Sequence, residues 1–267
     1  MLDEEHDDLE RAENDENLYT LGSIAGHNVV LACLPAGQTG NNGTAALVTR
    51  LTATFKSIRF GLMVGIGGGV PGTRDIRLGD VVVSQPHGMH GGIVQYDFGK
   101  DTPDGFARTG SLDTPPHLLL SAVSKLRANH LCGKSKLAER IISLRRNPRF
   151  RRERAGSDTL FESDYDHKQG DTCESCDPAK QVKRQPRKRK EEVVVHYGTI
   201  ASGNRVMRSG LERDKVSRDL GGVLCFEMEA AGLMNNFPCI AIRGKLLVAS
   251  IRSSKRSRIY APACKHY

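Results

Sequence analysis

The 267-residue sequence contains no tryptophan, and aromatic residues make up only 5 % of it, so a packed core has to rest on Val, Ile, Leu and Ala. No apolar run approaches the ~18 residues that a membrane-spanning helix needs. The acidic opening, MLDEEHDDLERAENDE, is the opposite of a signal or transit peptide. Seven cysteines, odd in number and irregular in spacing, argue against a disulfide framework and for a reduced, cytoplasmic protein. A dinucleotide-binding GxGxxG is missing, as is a phosphate loop ending in Gly-Lys-Ser/Thr.

Charge, by contrast, is plentiful and unevenly placed. Thirty-nine Lys+Arg against 31 Asp+Glu give a formal +8. The excess sits in blocks around 145–154, 183–190 and 252–258, a pattern of exposed segments. The length suits one large α/β domain.

Several elements are legible. YTLGSIAGHNVVLACL (19–34) reads as a hairpin turning at Ala25-Gly26-His27-Asn28, and GNNGTAALVTRLTATF reads as a helix capped by Asn42 or Thr44. In IRFGLMVGIGGGVPG an apolar strand runs into Gly65, Gly67, Gly68 and Gly69. Such a loop brings backbone N–H groups close to a ligand, or is a tight turn that needs positive φ. DIRLGDVVVS, GGIVQYDFGK, VVVHYGTIAS and PCIAIRG read as strands, PPHLLLSAVSKLRA and RVMRSGLERDKVSRDL as helices. From 145 to 192 the pattern dissolves into charge, Gly, Pro and Ser, which is expected to be loop or disorder. Within it, Cys173 and Cys176 have the spacing of a metal pair but lack a second pair, so no metal is assigned. KRQPRKRK at 183–190 carries no interleaved aromatic residue and reads as a solvated basic loop, not a nucleic-acid face.

The stretch GVLCFEMEAAGLMNN places Glu227 and Glu229 where a strand ends and a helix is expected to begin, the edge at which α/β folds bind ligands. A carboxylate there can accept both vicinal hydroxyls of a ribose; equally, two acids suit the positive first turn of a helix. Residues alone leave both readings open.

FEMEAAG after a strand, IASGN some twenty residues before it, VGIGGGVP and RLGDVVVS together resemble the purine nucleoside phosphorylase, uridine phosphorylase and nucleosidase superfamily. The branch they are most similar to is that of filamentous fungi, found alone or fused to NACHT, ankyrin or tetratricopeptide modules. The resemblance runs from about Asp3 to Gly244, which sets the expected domain at 1–244 and leaves 245–267 as an atypical basic tail. It implies an α/β fold, a three-layer α/β/α sandwich around a mixed, partly barrelled sheet. It implies cleavage of the N-glycosidic bond of a nucleoside, a purine nucleoside by preference, with phosphate or water as co-substrate and no cofactor. Glu229 is then the ribose ligand, with Met228 under the sugar and Glu227 in support. Gly65, Gly67 and Gly68 border the nucleophile and base, and Asn204, Val206 and Met207 wall the base pocket. The partners implied are a small-molecule nucleoside and further copies of the chain.

Three features depart from the family pattern. After Glu229 there is no Asp or Glu, so the family's leaving-group aspartate has no counterpart; loss of a general acid typically costs about 10²–10⁴ in rate. Met63 and Ile66 stand where phosphate-using relatives carry an arginine and a serine, which favours hydrolysis over phosphorolysis. The sequence also starts beyond the family's first strand, so nothing before Tyr19 is expected to form one. A chain shortened at both ends is the resulting expectation, with a non-catalytic nucleoside-binding or sensor module as the alternative to an enzyme.

Overall fold

The computed structural model describes residues 2–10, 13–72, 74–151, 158–166, 173, 175–187 and 193–246. Twelve strands are seen among these: β1 (Glu4–His6), β2 (Tyr19–Ile24), β3 (His27–Ala32), β4 (Gly61–Gly69), β5 (Val81–Ser84), β6 (Ile93–Gln95), β7 (Gly99–Thr102), β8 (Gly105–Arg108), β9 (Val195–Gly198), β10 (Ile200–Ser202), β11 (Cys225–Glu227) and β12 (Cys239–Leu246). Four α-helices accompany them: α1 (Asn41–Thr54), α2 (His117–Leu131), α3 (Leu137–Leu144) and α4 (Gly210–Asp219). None of the described helices is long and apolar enough to cross a membrane.

Seven strands form one mixed sheet in the order β6-β10-β11-β4-β12-β5-β9. Its closure follows from one connection: β9 is an edge strand and β10 lies next to the other edge, yet only Thr199 separates them. The sheet therefore has to curl until its ends meet. Backbone hydrogen bonds hold each side of this crossing: Gln85 N donates to Gly198 O at 3.0 Å at the end of the β5–β9 ladder, and Ile200 N donates to Gly92 O at 2.9 Å at the start of the β6–β10 ladder. VVVHYGTIAS is thus two strands, not the single one its β-propensity suggests, and the break falls at Thr199, just after Gly198, whose φ is 159°. A methyl group at Gly198 would also press on Leu224.

Register fixes which side chains face inward. On β4 and β12, Met63, Gly65 and Gly67 pair with Ala241, Arg243 and Lys245, while Leu62 and Val64 pair with Ile240 and Ile242 on the other face. The inner face holds the main core: Val82, Ile93, Ile200, Cys225, Cys239 and Ala241, closed by Leu233, Met234 and Phe237. Outside, α2 covers β5, β9 and β12 through Leu119 and Val123, and α4 covers β6, β10 and β11 through Val216 and Leu220. Between the two helices the outer face of β4 is bare, with Leu62 57 % and Val64 53 % exposed.

Four expectations are corrected. The glycines at 65, 67, 68 and 69 are not a loop; the strand runs straight through them, because bulky neighbours fill the space that side chains would take. A strand does precede Tyr19: β1 is all polar and exposed, formed by pairing with β2, and backbone partners can override a sequence without strand character. EMEAAGLMNNF forms only a single 3₁₀ turn, Ala230–Gly232, before looping to Phe237. Helix α1 begins without a side-chain cap of its own: Gly40 is its N-cap, and the Asn204 carboxamide oxygen accepts from Asn41 N at 3.2 Å.

The basic segment is the fifth correction. Arg184 and Arg187 are not solvated: Arg184 Nη2 lies 2.8 Å from Asp158 Oδ2, and Arg187 bridges both oxygens of Asp80. Asp80 is fully buried at the start of β5. It also accepts from the backbone N–H groups of Arg77 (2.8 Å) and Val194 (3.0 Å) and is hydrogen-bonded to His196 Nε2 at 2.9 Å. Burial alone would raise its pKa; the His196 and Arg187 hydrogen bonds outweigh burial and hold the carboxyl far below the usual carboxylate range. A folded-state pKa below the unfolded one gives stability that is present above the ordinary aspartate value and lost as pH falls through the depressed one. The rest of 183–190, from residue 188 on, lies outside the described residues.

Asp80→Asn should therefore cost about 3–5 kcal/mol at neutral pH, since it leaves Arg187 buried beside a neutral group. Limited trypsin digestion should cut after Lys183 to Arg187 faster in that variant. Unchanged melting and unchanged cleavage would show that the segment is held by something else.

Candidate functional site

Strand β11 carries Cys225, Phe226 and Glu227 against β4, with Cys225 opposite Gly69 and Phe226 opposite Gly68. Glu227 therefore ends the strand on the inner face, the same side as Arg243 of β12. A charged residue in the middle of an eight-residue buried strand needs a counter-charge, and here it has two. Arg243 Nη2 is ion-paired with Glu227 and lies 3.4 Å from Glu229 Oε2; its side chain is 3 % exposed and that of Glu227 is fully buried. The guanidinium also reaches Met63 Sδ at 3.4 Å.

Glu227 is chemically spent. Besides Arg243, its carboxylate accepts from Glu229 N at 3.1 Å and from Ala230 N at 3.1–3.2 Å, which turns the chain tightly into the 3₁₀ turn. Glu229 differs: its side chain is 18 % exposed, and its one side-chain contact to Arg243 is long. Burial raises its pKa first, partly opposed by the Arg243 charge and reinforced by Glu227. Backbone hydrogen bonds from Gly40 and Met228 also lower it, and what acceptor capacity remains lies in the part of the carboxylate that is exposed. Met228, between them, is half-buried.

The turn is fastened from a second direction. Ala231 N donates to Ser202 Oγ at 2.9 Å and Gly232 N to Asn41 Oδ1 at 3.2 Å, so the ends of β10, α1 and β11 converge on Glu229. Gly232 is obligatory there, because a methyl group would strike the Asn41 carbonyl. Asn41 Nδ2 and Arg243 Nε are buried donors without hydrogen-bond partners among the described residues.

The other expected residues are divided. Gly65 lies directly beneath the Arg243 guanidinium, while Gly67 packs against Phe226 O and Cys225 Sγ. Gly68 is a ladder position opposite Phe226 and Leu246. Asn204 serves as the cap of α1 and donates its N–H to Asp97 Oδ2 at 2.6 Å. Met207 is buried with Val70, Tyr96 and Phe226 beneath α4, whereas Val206 is 48 % exposed. Asn204, Val206 and Met207 thus face a cap, the surface and a core in turn. Arg243, Asn41 and Ser202 were missed by sequence reasoning; the signal for Arg243 was a lone cation inside the apolar run CIAIRG, while Asn41 and Ser202 had none. Lys245 is likewise buried on β12, with its ammonium beside the Cys225 thiol, and burial lowers its pKa. The described residues contain no group of three His, Cys, Asp or Glu able to hold a metal.

A profile of the Phosphorylase superfamily matches residues 4–243. The chain belongs to that superfamily. Its likeness to solved superfamily structures is at the level of fold. Streptococcus pneumoniae MTA/SAH nucleosidase in complex with 8-aminoadenine superposes with a TM-score of 0.52 at 17 % identity, covering 93 % of this chain and 78 % of that one. Helicobacter pylori 5'-methylthioadenosine/S-adenosyl homocysteine nucleosidase gives 0.53 at 15 % identity, covering 91 % and 76 %. A nucleotide-binding leucine-rich repeat (NLR)-like protein of Hyaloscypha variabilis is 44 % identical over 267 residues. That match takes in 98 % of this chain, reaching into the basic tail, but the chain spans only 26 % of the relative's length.

Within this superfamily member, Gly65→Ala should be as harmful as a core change. The added methyl meets the Arg243 guanidinium, and overpacking of this kind costs about 1–3 kcal/mol. A chemical-denaturation midpoint equal to that of the wild type would show that Arg243 has room to move.

Proposed function

We propose that this chain is a nucleoside-binding module of the phosphorylase superfamily, which holds the ribose diol of a purine nucleoside through Glu229. The observation that carries the reading is the difference in exposure within Glu-Met-Glu: Glu227 is fully buried and held by Arg243 and two backbone N–H groups, while Glu229, also bonded by the backbone of Gly40 and Met228, keeps an 18 % exposed side chain and only a long contact to Arg243. Two hydroxyls of a cis diol match the two oxygens of such a carboxylate. Adenine-type ligands in the solved relatives support the purine. The long NLR-like relative, of which this chain matches a 26 % segment, supports a ligand-reading part within a larger protein.

Turnover is the second reading, favoured by the buried Arg243 beside Glu229 at 3.4 Å, which can stabilise negative charge in the site. Against it stands the composition of residues 230–267, which contain no Asp or Glu to protonate a leaving base. Water is the co-substrate of that reading, since Met63 and Ile66 offer no charge to a phosphate dianion.

Calorimetric titration with adenosine, inosine and guanosine tests the proposal, with chromatography of the same mixtures for released base. Binding without release is the expected outcome, and Glu229→Gln should weaken it by about tenfold or more, as for a hydrogen bond to a charged group. Affinity should fall as pH is lowered through the raised pKa of Glu229, at a pH where an ordinary glutamate is still ionised. Stability should run the other way: the folded state holds the proton more tightly, so this group's contribution is full below the ordinary glutamate value and lost as pH rises through the raised one. Rapid release of base would establish the second reading, and absence of binding to all three nucleosides would remove both.

A further inference from the structure

A cleft lined by none of the residues around Glu229 lies at the carboxyl ends of β5 and β9, where the end of α2 closes over them. It has a volume of about 400 Å³, and its lining includes Arg74, Arg127, His87, His130, His196 and Tyr197. That volume is in the range of small-molecule sites. Among the described residues, no Asp or Glu lines it.

What the arginines touch decides its character. Arg74 donates through Nη1 to the Tyr197 carbonyl at 2.8 Å. Arg127 sits 4.9 Å over the Tyr197 ring and donates to Gln85 Oε1 at 3.3 Å. All these partners are neutral, so two guanidinium charges face one cleft without a counter-ion among the described residues. The carboxylate of Asp80 is buried behind His196 and already neutralised by Arg187. Arg74 and Arg127 are both exposed at the cleft's rim, unlike the paired arginines Arg184, Arg187 and Arg243, which are largely buried beside Asp158, Asp80 and Glu227.

We propose that this cleft binds the phosphate group of a phosphorylated small molecule, held by the forks of Arg74 and Arg127. Arginine forks match phosphate oxygens bidentately, and His87 lines the same cleft. A bare phosphate ion would leave most of the volume unused, so the ligand carries an organic part beside the Tyr197 ring. The proposal does not rest on the nucleoside reading of Glu229, which involves other residues.

Inorganic pyrophosphate is the probe, titrated calorimetrically into the whole chain at low ionic strength. The wild type should bind, and affinity should fall as salt is raised. Arg74→Gln with Arg127→Gln should weaken binding by about tenfold or more, the loss expected for two charge-assisted contacts. Lys56→Gln with Arg59→Gln removes the same net charge from an exposed stretch and should change affinity less than about twofold. Arg127→Gln alone gives a smaller loss of the same sign and serves if the double variant melts early. No binding by the wild type overturns the proposal, as does equal weakening by the two double variants.

Discussion

One buried ion pair organises this structure. A guanidinium inside the sheet cannot stand alone, because the desolvation of an uncompensated charge costs several kcal/mol. Arg243 is therefore answered by Glu227, and the rest of the site follows from that pairing. The strand facing Arg243 has glycine where a side chain would collide with it. Glu227 uses its remaining oxygens on the backbone of Glu229 and Ala230, which tightens the chain into a 3₁₀ turn and leaves Glu229 as the acid still able to meet a ligand. Ser202 and Asn41 then fasten the turn from the neighbouring strand and helix.

A second ion-paired node does comparable work on another part of the molecule. Asp80 gathers Arg187, His196 and two backbone amides, and thereby fixes the start of β5, the strand β9 and the basic segment to each other. Its consequence for surface charge is easily missed. The arginines that look free in sequence, Arg184 and Arg187, are consumed, whereas Arg74 and Arg127, which no sequence pattern distinguishes, keep their charge for the cleft.

Much of the fold was legible because it is written in local patterns. The alternation of 19–32, the helical spacing of α1, the Val-rich β5 and the proline-led α2 each carry their own signal. What was not legible depended on partners distant in sequence. VVVHYGTIAS has uniform strand propensity, and only the curl of the sheet breaks it after Gly198. The glycine run suggested a loop because glycine is weak in strands, yet Arg243, some 180 residues further on, makes glycine the residue that fits. EMEAAG has strong helix formers, but Glu227 takes the N–H groups of the first turn and the chain then has to reach Phe237. In the candidate site the two glutamates were found and Arg243 was not, although a cation inside CIAIRG is itself a request for a buried acid.

The central claim, that Arg243 holds Glu227 so that Glu229 remains for a ligand, is tested most directly by a double-mutant cycle read in equilibrium denaturation. Glu227→Gln and Arg243→Met should each cost about 3–5 kcal/mol, and the two together little more than one, since the double variant leaves no buried charge unpaired. Costs that simply add would contradict the account, for they would mean that the two groups are held independently.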